Sequence, residues 1–119
     1  MGKLMTNVIT LFKNLALEAS GSDSIIVDMN QFKPAKDNVT FQLHLAGASS
    51  TVTVAVTVSH TRSGTYSAVS SKTEVVANQT PGDAVIDFAG PVAPFWKVTV
   101  TETSGSHAVT DFDLSMAVR

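Results

Sequence analysis

The sequence predicts an all-β protein: a two-sheet antiparallel β-sandwich, jelly-roll-like, of about eight strands. Three observations predict it. Apolar and polar residues alternate at period two in several separate stretches, the pattern of strands buried on one face. β-branched residues occupy both faces of those stretches, which suits a pleated surface. Clusters of Gly, Pro, Asn and Ser punctuate the chain at spacings of roughly ten residues, as short antiparallel strands require.

Residues 1–18 come first and read two ways. Leu4, Val8, Leu11, Phe12 and Leu15 fall at helical spacing. Val8, Thr10 and Phe12, then Leu15 and Leu17, also alternate as a strand does. With the rest of the chain all β, an extended N-terminal arm or first strand is expected. The turn Ser20-Gly21-Ser22-Asp23 leads to a short strand, Ser24–Met29, reading SIIVDM. After Lys33-Pro34 through Asn38 comes VTFQLHLA, Val39–Ala46, with Val39, Phe41, Leu43 and Leu45 predicted inward. Ala46-Gly47 turns the chain into STVTVAVTVSH, Ser50–His60, with Val52, Val54, Val56 and Val58 inward. Past Arg62-Ser63-Gly64, short strands are expected at Thr65–Val69, Thr73–Ala77 and Ala84–Phe88. Gly90-Pro91 precedes FWKVTVTET, Phe95–Thr103, which sets Trp96, Val98 and Val100 against Lys97, Thr99 and Thr101. Ser104-Gly105-Ser106 then leads to AVTDFDLSMAV, Ala108–Val118, with Phe112, Leu114, Met116 and Val118 inward.

The 119 residues, 44% hydrophobic, suffice for one core, and residues 1–119 are read as a single domain. There is no cysteine, which removes disulfides, thiolate metal sites and cysteine nucleophiles together. A net charge of -2 supplies no general attraction to nucleic acid, and none is expected as a partner. No apolar run approaches the ~18 residues of a membrane helix, so no membrane partner is expected. Asn7, Lys13 and Asn14 interrupt the N-terminal apolar stretch, and no signal peptide is expected. Met1-Gly2 with Thr6 matches the short myristoylation pattern. Asn38-Val39-Thr40 and Asn78-Gln79-Thr80 match the glycosylation pattern. Neither short match outweighs the rest of the chain.

Candidate chemistry is sparse. His44, His60 and His107 show no metal-ligand spacing, and no metal or other cofactor is expected. Asp111 and Asp113 flank Phe112, so their carboxylates share one face about 7 Å apart. They read as solvent-facing charges that guard the edge of a last strand, with a calcium site or acid/base pair as the sharper alternative. No nucleophile elbow or phosphate-binding glycine loop occurs, and no catalytic residue is assigned: the chain is not read as an enzyme. Trp96 shares its face with Val98 and Val100 and reads as core before it reads as a sugar-stacking platform. Thr51, Thr53 and Thr57 with Thr99, Thr101 and Thr103 would form a threonine array were their strands adjacent. Ala55 and Glu102 are read as interrupting it.

Charged residues make up only 15% of the chain, against roughly 25% in ordinary soluble domains. The outward residues Thr51, Thr53, Ala55 and Thr57 carry no charge, where a solvated face normally carries Lys or Glu. Small uncharged side chains let another surface approach at low desolvation cost. Thr51, Thr53, Ala55, Thr57, Thr99 and Thr101 are therefore the candidate interface, and a homo-oligomer is expected. A Thr-rich solvated sheet is the plainer alternative.

The runs SIIVDMNQF, VTFQLHLAGASSTVTVAVTVSHTRSGTY and PFWKVTVTETSGSHAVTDFDLSMAV together resemble small β-sandwich structural proteins of tailed bacteriophages. The shared pattern is an apolar strand with a small-residue outer face and a Ser-x-x-x-x-Gly-x-Tyr turn, here Ser59 through Tyr66. An aromatic-led strand, a Ser/Gly turn and a last strand follow. The resemblance spans about residues 24–118 and carries no diagnostic motif. It implies a head decoration, head-tail or tail accessory protein that assembles as a ring or lattice. Its partners would be copies of itself and other virion proteins. Its location would be the virion, after synthesis in the host cytoplasm. A carbohydrate-binding or adhesion module of the same fold is the alternative.

Overall fold

The computed structural model describes residues 7–32, 38–46, 50–68, 82–88 and 93–118. Seven strands are present among them: β1 (Asn7–Leu17), β2 (Ser22–Asp28), β3 (Val39–Ala46), β4 (Val52–Ser59), β5 (Gly82–Phe88), β6 (Phe95–Glu102) and β7 (Val109–Val118). They form two antiparallel sheets, ordered β1-β7-β3-β5 and β2-β6-β4. Odd strands build one layer and even strands the other, so every connection passes between layers. Strand β1 pairs with β7, β2 with β6 and β3 with β5. These pairs nest around β4 as a long hairpin would when rolled up, which is the jelly-roll arrangement.

The core is the sum of the inward faces. Val39, Phe41, Leu43 and Leu45 of β3 face Val52, Val54 and Val56 of β4 and Trp96, Val98 and Val100 of β6, all essentially without solvent exposure. Phe112, Leu114, Met116 and Val118 of β7 complete it. Every inward residue predicted on these four strands is in the core except Val58, which is half-buried. The agreement follows from the pleat: once the β-branched residues choose an extended backbone, successive side chains must alternate.

The remaining elements differ from expectation in detail. Residues 7–17 form a strand, not a helix, but an irregular one. The β1–β7 register slips between Thr10 and Phe12, between Phe12 and Leu15, and between Leu15 and Leu17. The first slip buries Leu11 and Phe12 side by side, and this consecutive apolar pair produced the helical spacing. The second slip puts Asn14 at φ 55, a left-handed conformation that Asn tolerates better than most residues. Strand β2 begins two residues earlier than expected, at Ser22, and stops at Asp28. There Met29–Gln31 form a 3₁₀ turn whose first free N–H groups are capped, with the Asp28 carboxylate accepting from the Asn30 N–H at 2.9 Å. Of the strand expected over Thr65–Val69, residues 65–68 are described and contribute one isolated bridge, Val58 with Ser67. The strand expected at Thr73–Ala77 lies outside the described residues.

Candidate functional site

The outer face of the β2-β6-β4 sheet holds the candidate interface residues. Register places Thr53 opposite Thr101 and Ala55 opposite Thr99 on β4 and β6. On the far side of β6, Ser22 opposes Thr101 and Ser24 opposes Thr99. Thr51, Thr53, Ala55, Thr57, Thr99 and Thr101 are all half-buried and fall on this one surface. Thr51 stands just before β4, its hydroxyl 2.9 Å from that of Thr103. The strand adjacency that the threonine array required is therefore present. The uncharged array ends at a row formed by Ile26, Lys97 and Thr57. Lys97 sits 5.2 Å from the centre of the Tyr66 ring, within cation–π range.

The Ser59–Tyr66 turn buttresses that end. The buried Ser59 hydroxyl donates to the Thr61 carbonyl at 2.7 Å and accepts the Thr61 N–H at 3.2 Å. The Tyr66 hydroxyl donates to the Arg62 carbonyl at 2.7 Å. A Cβ at Gly64 would lie 2.2 Å from Thr61 Oγ1 and 3.0 Å from Ser59 Oγ. The Ser-x-x-x-x-Gly-x-Tyr spacing thus has a local cause: hydroxyls at both ends hold the turn, and the glycine makes room for it.

Glu102 does not interrupt the threonine rows. It belongs to the inward face of β6 with Val98 and Val100, and only 1% of it is exposed. Sequence reasoning set its charge above its place in the alternation. Its carboxylate accepts the backbone N–H groups of Ser20 (3.2 Å), Thr51 (3.1 Å), Ser104 (2.9 Å) and Gly105 (3.0 Å). Burial alone would raise its pKa. Hydrogen bonds from Ser104, Thr51 and Ser20 outweigh that and lower it to about 2. One carboxylate thereby ties together the turn after β1, the entry to β4 and the turn after β6.

The outer face of the other sheet carries Lys13, His44, Asp83, Asp87, Asp111 and Asp113. Asp111 and Asp113 do share a face, but β7 lies between β1 and β3, so they guard no edge. Asp113 is set between two basic side chains. Lys13 Nζ is 3.5 Å from its Oδ2, and His44 is its register partner across β3. The Asn14 N–H, freed by the β1 bulge, donates to Asp113 Oδ1 at 2.8 Å. That hydrogen bond lowers the Asp113 pKa, burial opposes it, and Lys13 adds to it. On β5, Asp83 Oδ1 is 2.5 Å from His44 Nδ1. The Asp83 hydrogen bond and charge raise the His44 pKa above 6.5, and Asp113 and Asp111 contribute in the same sense. The row Lys13–Asp113–His44–Asp83 borders an open recess of about 220 Å³, completed by Thr10, Gln42 and Ser115.

Among the described residues, no three His, Asp or Glu side chains gather to hold a metal ion. None of the helices described is long and apolar enough to cross a membrane. Trp96 is fully buried and takes no part in any surface platform. His60 and His107 are exposed in turns, away from the row. The chain matches no protein-family model and no curated protein.

Proposed function

We propose that the protein is a non-enzymatic structural subunit that assembles with copies of itself through its small uncharged β-face, in the virion of a tailed phage. The observation that carries this is the adjacency of Thr53 with Thr101 and of Ala55 with Thr99, flanked by Ser22 and Ser24. The result is a patch of small uncharged side chains with little to desolvate. The virion setting is supported by the sequence resemblance and agrees with the sandwich fold.

Magnitude shapes the reading. Three strands about 4.8 Å apart and about 26 Å long present about 400 Å². A standard stable interface takes about 800 Å² from each partner. This face alone makes a weak contact, so a lattice or ring held by several such contacts suits it better than a tight dimer.

Light scattering coupled to size exclusion tests self-assembly. A concentration-dependent oligomer whose order falls in a folded Thr99→Arg variant is the expected result. A monomer at every concentration, or an oligomer indifferent to Thr99→Arg, overturns it. Peptides of this chain in purified virions test the setting.

A further inference from the structure

We propose that the outer face of the β1-β7-β3-β5 sheet is a second, pH-tuned contact between two copies of this chain, related by a twofold axis parallel to its strands. This goes beyond the first interface, since it uses the opposite layer of the sandwich.

The argument rests on the order of charges. Across the sheet the row reads Lys13 on β1, Asp113 on β7, His44 on β3 and Asp83 on β5. With His44 protonated the signs run plus, minus, plus, minus. That order is antisymmetric about the midline between β7 and β3. A half-turn about an axis along this midline lays β1 over the partner's β5 and β7 over the partner's β3. Lys13 then meets the partner's Asp83, and Asp113 meets the partner's His44, each contact occurring twice. A half-turn about the axis across the strands would set like charge on like, so the charges select one packing.

The rest of the face fits that packing. The next row reads Thr10, Ser115, Gln42 and Val85, and the one beyond reads Val8, Ala117, Thr40 and Asp87. Ser115, Ala117 and Thr40 on the two central strands are small, and Gln42 lies over the partner's Ser115. Val8 and Val85, each 65% exposed, lie at opposite margins. The half-turn brings Val85 over the partner's Thr10, one rung from its Val8, while Val8 lies over the partner's Asp87.

Four strands over about 23 Å present about 450 Å² per copy. The total is below the usual ~1,600 Å², so association is in the micromolar range or weaker. The charges that face His44 are Asp83 from β5 and Asp113 and Asp111 from β7; Lys13 on β1 stands beyond Asp113, and Asp87 lies further along β5. With His44 neutral, Lys13 alone opposes these acids, and the contact weakens as pH rises. Added salt weakens it at every pH.

Sedimentation equilibrium on the Thr99→Arg chain isolates this contact from the first. Lys13→Asp and Asp83→Lys are each added to that chain. Each alone sets like charges together and should raise the dissociation constant about tenfold or more. An equimolar mixture of the two should recover association, because one reversed contact and one native contact both become complementary. Circular dichroism on each variant verifies that it is folded. Association of the Thr99→Arg chain that strengthens from pH 8 to pH 6, with rescue in the mixture, supports the proposal. No association up to about 1 mM, or a mixture no better than its components, overturns it.

Discussion

The Glu102 carboxylate accepts the Thr51 N–H at 3.1 Å, so the last residue of β6 holds the first turn of chain entering β4. The same strands exchange a backbone bond one step further, where the Thr103 N–H donates to the Thr51 carbonyl at 3.0 Å. A buried anion answered by four backbone N–H groups is the logic of a helix cap applied to three loops. Glu102→Ala leaves four N–H donors to find other partners, and Glu102→Gln keeps the volume but turns part of its amide against donors. Melting temperature should fall on the order of 10 °C for the alanine variant and less for the glutamine, as calorimetry would measure.

Acid stability follows from the same residue. Its folded pKa of about 2 lies below the unfolded value near 4.5. The stabilisation is therefore complete above about pH 4.5 and is lost as pH falls toward 2. Denaturant midpoints measured from pH 6 down to 2 should decline through that window, and Glu102→Gln should flatten the decline.

For His44 the sign is opposite. Its folded pKa is raised by Asp83, so its contribution is full below the unfolded value of 6.5 and disappears as pH climbs through the folded value. Both side chains are substantially exposed, and the gain in stability is small. In an NMR titration the His44 ring should titrate at higher pH than in Asp83→Asn.

The β1 bulge supplies a backbone test. Asn14 at φ 55 should accept glycine with little change. A β-branched residue there meets the left-handed penalty of about 1–2 kcal/mol, so Asn14→Val should lower the urea midpoint where Asn14→Gly does not.

Core truncation sets the scale against which the others are read. Phe112 is fully buried between its sheet and the facing one, and Phe112→Ala should cost about 3–5 kcal/mol. Its measure is denaturant unfolding followed by the emission of Trp96.

What could be read in advance divides along physical lines. Alternation on β3, β4, β6 and β7 revealed which residues are inside, because a pleated strand leaves them no other choice. It could not say which strands are neighbours, since pairing is decided by packing at long range. Asp113 therefore looked like an edge charge while lying in mid-sheet. The Lys13–Asp113–His44–Asp83 row has no local signature, because its members come from four separate strands. Glu102 was legible by position and missed through its charge. The bulges of β1 hid that strand because each slip resets the period of two.

The pairing of Asn7 with Val118 has a consequence for biogenesis. Strand β1 leaves the ribosome long before β7 exists, and β7 is its sole neighbour among the described strands. The four-stranded layer must close after translation has passed residue 118. Until then β1 lacks its partner strand, and pairing over so long a sequence separation is intrinsically slow and leaves the unpaired strand open to aggregation.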